Sequence, residues 1–215
     1  MTRFLVIRHG QTKWNLVEKF RGRADIELDE VGTKQAEVTA RRVAQWRISA
    51  IYSSPLQRAF ATASILARHL SLEVESLPEL IDVDYGEWQG LSPEEVAVKD
   101  SDLYAEWLTN PHAVRFPKGE SLSEVRERVV SAVEKLTAQH SGEDVVLVSH
   151  KVVCQVFILT MLGMDNSRFW QVAQDVNAIN LFEVRDNVPT AVFLNDTCHL
   201  EALRTNKFEF QSWRK

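Results

Sequence analysis

The chain has 215 residues, a formal net charge of −5 at pH 7, 45% hydrophobic and 26% charged residues. That length suits one sizeable α/β domain, and the acidic balance excludes a broad nucleic-acid surface, which needs a basic face or stripe. No apolar run approaches the ~20 residues that span a bilayer, and the apolar start over residues 4–7 is shorter than the ~7–15-residue core of a signal peptide. Cys154 and Cys198 are the only cysteines, which supplies neither a disulfide framework nor a cysteine zinc site. The chain therefore reads as cytoplasmic, without membrane or nucleic-acid partners.

Taken in order, residues 4–10 read Phe-Leu-Val-Ile-Arg-His-Gly, the pattern of a buried parallel strand that ends on Arg8, His9 and Gly10. In open α/β sheets ligands bind beyond the carboxyl ends of the strands, so a guanidinium and an imidazole placed there suit an anion. Residues 32–46 predict a helix, with Ala36, Val43 and Ala44 on one side and Lys34, Glu37 and Arg41 on the other. A short strand over 48–53 follows. Ser54-Pro55-Leu56-Gln57 then predicts a helix start, with Ser54 as cap, Pro55 at the first helical position and Gln57 closing a capping box. Leu56, Ala59, Ala63, Leu66 and Leu70 form its inner face. Arg58 falls in the first turn, where free backbone N–H groups and the helix dipole already favour an anion.

A strand over 72–77 leads to the acidic loop from Asp82 to Gly90, and residues 92–108 predict a helix broken at Asn110-Pro111-His112. Ser121 and Glu124 form a second capping box, opening a helix that turns Leu122, Val125, Val129, Val133 and Leu136 inward. A second apolar strand, Val145 to Val148, runs into Ser149-His150. An apolar helix over 152–162 closes on Gly163, and strands over 180–184 and 190–194 pair around Arg185-Asp186-Asn187. This alternation predicts a three-layer α/β fold, a largely parallel sheet flanked by helices. Residues 1–200 read as the domain and 201–215 as a C-terminal tail, whose Phe208, Phe210 and Trp213 suit a dimer contact, a cover for the site or a cap on the core.

Two apolar strands that each deliver a histidine to one sheet edge predict a single site built from both ends of the chain. Arg3 and Arg23 read as solvated surface charge. His9 beside Arg8, with Arg58 near, reads as chemistry: guanidiniums disfavour imidazolium and leave a ring nitrogen available for attack. Arg8-His9-Gly10, with Thr12 and Asn15, Ser53-Ser54-Pro55 with Arg58, and Ser149-His150 together resemble the histidine phosphatase superfamily, in its cofactor-dependent phosphoglycerate mutase branch. The resemblance covers residues 4–200. It implies that His9 attacks phosphorus and becomes phosphohistidine, that Arg8, Arg58 and His150 form the phosphate pocket, and that Asn15 binds the phosphate as well.

The family takes a glutamate as proton donor where this chain has Asp82, one methylene shorter, and Asp84 and then Glu87 are the alternatives. Lys151 stands where the best-known members have glycine. Arg21-Gly22 occupies a loop that contacts substrate in the family, which makes Arg21 a candidate for a second anionic group. No cluster has ligand spacing for zinc or magnesium, so neither metal nor cofactor is expected.

The segment between Gly90 and His150 is shorter than in the family's mutases, which favours a phosphatase that admits water over a cofactor-dependent mutase. The ending Asn195-Asp196-Thr197-Cys198-His199-Leu200 resembles bacterial phosphoserine phosphatases of this branch, as does Pro111-His112 followed by Gly119-Glu120-Ser121. Phosphoserine is thus the first substrate expected, although Tyr85 stands where those enzymes tend to have histidine. Phosphoglycerate, a sugar phosphate and α-ribazole phosphate stay open. Two other classes compete: a magnesium-dependent haloacid-dehalogenase phosphatase built on Asp82-Val83-Asp84, and a non-catalytic phospho-ligand module on the same fold.

Overall fold

The uninterrupted apolar runs become the two central strands of a six-stranded sheet. In the computed structural model, which describes residues 1–203, the strands are β1 (Thr2–Arg8), β2 (Ile48–Ser53), β3 (Val74–Ser76), β4 (Asp144–Ser149), β5 (Ile179–Arg185) and β6 (Val188–Asp196). Their order is β3-β2-β4-β1-β5-β6. β3, β2, β4 and β1 run parallel, whereas β5 pairs antiparallel with β1 and β6 with β5. The largely parallel sheet expected from the alternation is there, with an antiparallel hairpin along one edge. That hairpin turns at Asp186 and Asn187, both at positive φ (50° and 61°), the geometry of a two-residue turn matched to strand twist.

Successive side chains of a strand face opposite ways, so each central strand feeds two cores. Phe4 and Val6 of β1, with Val145 and Leu147 of β4, face α6 (Leu122–Gln139) and α7 (Lys151–Met161). Leu5, Ile7, Val146 and Val148 face α2 (Glu30–Val43) and α3 (Gln57–Leu70). Burial on both faces is why these strands carry no polar alternation. The short α1 (Lys13–Leu16), α4 (Pro93–Lys99) and α5 (Ser101–Thr109) lie in the loops around the carboxyl edge.

Several elements differ from their sequence-based expectation. α2 starts at Glu30, because Asp29 Oδ1 accepts from the Gly32 N–H at 2.7 Å. Ala44 falls beyond its end and is exposed, and Ala40 fills the inner face instead. The helix expected over 92–108 breaks at Asp100, whose carboxylate accepts from the Trp88 indole at 2.7 Å. In α6 the Ser121–Glu124 capping box forms as expected, but Ala132 rather than Val133 reaches the buried face. Ser54 does not cap α3: the cap position is Leu56, without a side-chain bond. Asp25 does that work from the preceding loop, accepting from the Gln57 N–H at 2.7 Å and from Gln57 Nε2 at 3.1 Å. Phe208, Phe210 and Trp213, in the C-terminal tail, lie outside the described residues. Among the described residues, no helix is long and apolar enough to cross a membrane.

Candidate active site

Register brings the two histidines together. Arg8 pairs with Ser149 across β1 and β4, and the His9 N–H donates to the Ser149 carbonyl at 2.9 Å. The imidazoles that follow stand 5.2 Å apart, centroid to centroid, at the carboxyl edge, as the sequence predicts. His9 is 1% exposed. Its Nδ1 lies 2.7 Å from the Gly10 carbonyl, which can only accept, so the proton sits on Nδ1 and Nε2 keeps its lone pair. Burial first, then the charges of Arg58, Arg8 and Arg21, hold His9 well below the ordinary histidine pKa. The turn depends on glycine: a Cβ on Gly10 would lie 2.6 Å from the Gly32 carbonyl oxygen.

Three buried or half-buried arginines surround this pair. Arg8 donates from Nη1 to the Gln174 carbonyl at 2.6 Å. The Gln174 amide exchanges two bonds with Asn180, at 2.9 and 3.0 Å, and Asn180 Nδ2 in turn reaches back to the Val6 carbonyl on β1. Burial pushes Arg8 down to about 10, which leaves it charged at neutral pH. Arg58 is fully buried in the first turn of α3 and donates to the carbonyls of Ala24 and Gly22, both at 2.7 Å. Gly22 presents its carbonyl from a positive φ of 48°, with the Val83 oxygen 2.9 Å from where a Cβ would sit. Arg21 donates to the Trp14 carbonyl at 2.8 Å; burial lowers its pKa against the pull of Asp82.

Asp82 closes the cluster. Its Oδ2 accepts from Arg58 at 3.0 Å and lies 3.7 Å from His150 Nδ1, and Oδ1 accepts from the Val83 N–H. Burial outweighs these partners and raises the carboxyl above its ordinary range. Asp84 faces elsewhere: Oδ2 pairs with Arg23 at 3.3 Å and Oδ1 accepts from the Gly86 N–H. Glu87 sits at the surface between Lys99 and Lys118. Asp82 also follows a 3-10 turn (Pro78–Leu80) rather than a strand, unlike the aspartate of a dehalogenase-type site.

His150 is fully buried, with Nε2 2.7 Å from the Ser54 hydroxyl. Burial, Arg58 and His9 hold it well below the ordinary histidine range. Asn15 uses Oδ1 to accept from the Thr12 N–H and hydroxyl at 2.9 and 2.8 Å, which leaves Nδ2 as its donor. Tyr85 packs edge-on against Phe20 and Phe116, centroids 5.0 and 4.8 Å away, and burial raises its hydroxyl pKa. Lys151 opens α7; burial, Arg8 and Arg21 pull its ammonium well below the ordinary lysine range. Ten residues singled out from sequence thus share one edge of the sheet. Missed were Ser54 as a partner of His150, Thr62, whose hydroxyl holds the Gly10 N–H at 3.1 Å, and the Gln174–Asn180 pair behind Arg8. Only Ser54 stood in a quoted motif; the others carry no local signal.

A buried, cationic pocket around a neutral imidazole suits a bound anion such as a phosphoryl group. Among the described residues, no group of three or more histidine, cysteine or carboxylate side chains converges as a metal site. A buried histidine with an unprotonated ring nitrogen, flanked by arginines, a second histidine and a buried aspartate on an α/β sheet edge, is an arrangement that suits phosphoryl transfer.

The family follows from comparison. The profile of the histidine phosphatase superfamily (branch 1) matches residues 4–197, and the chain belongs to that superfamily. It is 35% identical over 200 residues to phosphoserine phosphatase 1 of Hydrogenobacter thermophilus, covering 93% of this chain and 95% of that one. It is 30% identical over 207 residues to a metal-independent phosphoserine phosphatase of Arabidopsis thaliana, covering 94% and 85%. Among solved structures it resembles Bacillus stearothermophilus YhfR (TM-score 0.89, 26% identity, 94% of this chain and all of that one). It also resembles a phosphoserine phosphatase mutant of Entamoeba histolytica in complex with phosphoserine (TM-score 0.85, 29% identity, 93% and 100%).

Proposed function

We propose that the chain is a phosphomonoester hydrolase that works through a phosphohistidine at His9, with phosphoserine its first substrate. The observation that carries this reading is the His9 ring: Nδ1–H is tied to the Gly10 carbonyl and Nε2 is free within an arginine cluster. Superfamily membership and the two phosphoserine phosphatase relatives support the same chemistry and the same substrate.

The steps follow from the pocket. Arg8, Arg58 and the Asn15 amide hold the phosphoryl oxygens, which neutralises charge as it spreads in the transition state. His9 Nε2 attacks phosphorus, the P–O bond to the alcohol breaks, and Asp82 gives its proton to the departing oxygen. An alkoxide is a poor leaving group near neutral pH, so this proton matters most for alkyl esters. Water then attacks phosphorus from the vacated side and passes a proton to the Asp82 carboxylate, while the N–P bond breaks and its electron pair returns to Nε2. Orthophosphate leaves and His9 is again neutral. Arg21 supplies positive charge for a carboxylate on the alcohol portion, and Lys151 an N–H donor.

Rapid quench with labelled substrate in excess chelator should trap a phosphoenzyme that is acid-labile, base-stable and labelled at His9. His9→Ala should abolish turnover. Label on Asp82 or Asp84, full activity in His9→Ala, or activity lost to EDTA and restored by magnesium would each refute the mechanism.

A further inference from the structure

Gly119-Glu120-Ser121 takes no part in the steps above, yet it packs directly on the loop over residues 82–90. The Glu120 N–H donates to the Asp84 carbonyl and the Glu87 N–H to the Pro117 carbonyl, both at 2.9 Å, so the turn before α6 is zipped to the loop backbone. Both sides of this approach need glycine. A Cβ on Gly119 would strike the Asp84 carbonyl oxygen, and one on Gly86, at φ 51°, that of Pro117.

The Glu120 carboxylate gathers three further segments. Oε2 accepts from the Asp84 N–H at 2.9 Å and from Arg128 Nη2 of α6 at 3.3 Å, while Oε1 accepts from Arg23 Nη2 at 3.0 Å. Arg128 Nη1 donates in addition to the Glu79 carbonyl at 2.6 Å. The chain is therefore held at residues 79 and 84, on either side of Asp82, by the two members of one ion pair. Their side chains are 17% and 15% exposed, which limits the screening that makes surface pairs weak. Arg23 belongs to the loop whose Gly22 and Ala24 carbonyls hold Arg58. The same carboxylate thus ties down the loop that aims the guanidinium bonded to Asp82.

We infer that the Glu120–Arg128 pair positions the proton donor, so that Glu120 acts on the reaction through Asp82. The inference rests on the phosphatase reading with Asp82 as the acid and deepens it. Without the Glu120 carboxylate the backbone at Asp84 is released, and the Asp82 carboxyl is held less firmly towards the leaving oxygen. The charge of Arg128 is also left unbalanced. The charged and titratable groups that face Asp82 are Arg58 of α3, Arg21 of the loop beyond α1, Arg8 and His150 at the strand ends, Tyr85, Cys154 of α7 and Arg128 of α6. Burial raises the Asp82 pKa and Arg128 is among the cations that oppose the rise, so an unpaired Arg128 makes Asp82 ionise at lower pH.

The test is Glu120→Gln in the full chain, which keeps an oxygen for the Asp84 N–H and removes the charge. Single-turnover phosphoryl transfer from phosphoserine should slow by about tenfold, and transfer from p-nitrophenyl phosphate, whose leaving group needs little protonation, by less than about twofold. The ratio of the two rates in one preparation does not depend on how much of it is folded. The alkaline limb of the phosphoserine profile should move to lower pH, a shift that a merely structural role would not produce. Arg128→Lys, which keeps the charge balance but is too short of donors to bridge Glu79 and Glu120 in the same way, should lower the same ratio and leave that limb in place. Equal losses with the two esters, or an unmoved limb in Glu120→Gln, would overturn the inference and leave the phosphatase reading standing. Equal losses in Asp82→Asn would instead remove the acid assignment on which the inference rests.

Discussion

In the acid role proposed for it, Asp82 has to carry a proton to the leaving alcohol although it sits 3.0 Å from a guanidinium. Arg58 alone would hold it ionised. Burial works the other way and prevails, so this carboxyl keeps its proton above the usual carboxylate range, as the proposed first step needs. Its Oδ2 lies 3.7 Å from His150 Nδ1, with the arginine cluster around it. Asp82→Asn should therefore cut turnover of alkyl esters by about 10²–10⁴-fold, the usual worth of a positioned acid. With p-nitrophenyl phosphate, whose leaving group needs little protonation, the loss of phosphoryl transfer should be at most about tenfold. Pre-steady-state bursts with the two substrates make the comparison, and equal losses would remove Asp82 from the acid role.

At the level of elements, α3 delivers Arg58, which touches both Asp82 and the loop over residues 22–24. Its first turn is held by Asp25, far away in sequence, while the serine that a local reading assigns to the cap accepts only from the Leu56 N–H and bonds His150 as well. The same short loop thus caps the helix and, through the Gly22 and Ala24 carbonyls, aims Arg58. Asp25→Ala should cost about 1 kcal/mol, as helix caps do, read as a lower urea midpoint at unchanged m-value. It should also raise KM, because Arg58 loses the loop that orients it. Asp25→Asn, which still accepts from the Gln57 N–H, should recover most of both. An unchanged midpoint in Asp25→Ala would show that α3 is fixed by packing alone.

For the whole molecule, two histidines enclosed in the neutral state tie stability to pH. His9 and His150 both titrate well below the ordinary range in the folded chain, whereas in the unfolded chain they take up protons near pH 6.5. The unfolded state therefore binds more protons below that point. Stability is full above about pH 6.5 and falls as pH drops, by about 1.4 kcal/mol per unit for each histidine. Asp82, with its pKa raised by folding, contributes in the opposite sense: the folded chain holds its proton more tightly, which offsets part of the loss at the acid end. Melting temperatures from pH 7.5 to 5 should show the decline, His150→Asn should halve its slope, and Asp82→Asn should steepen it. A melting temperature independent of pH below 6.5 would mean that neither histidine is buried as a neutral ring.

The sequence by itself determined the central strands, the histidine at the end of each and the arginines beside them. A strand buried on both faces must be apolar throughout, and a catalytic group at its end interrupts that run visibly, as Arg8-His9-Gly10 does after residues 4–7. The Ser121–Glu124 capping box was equally legible, because both partners lie within one turn. Which carboxylate faces the histidines was not: Asp82 and Asp84 are two residues apart and alike in sequence, and only the packing turns one to Arg58 and the other to Arg23. The partners of Ser54, the Gln174–Asn180 brace and the grip of Glu120 and Arg128 on the loop around Asp82 likewise depend on segments far apart in the chain. Tertiary structure decided them because hydrogen-bond competition and enclosure are settled by what lies across the sheet, and no local pattern records that neighbour.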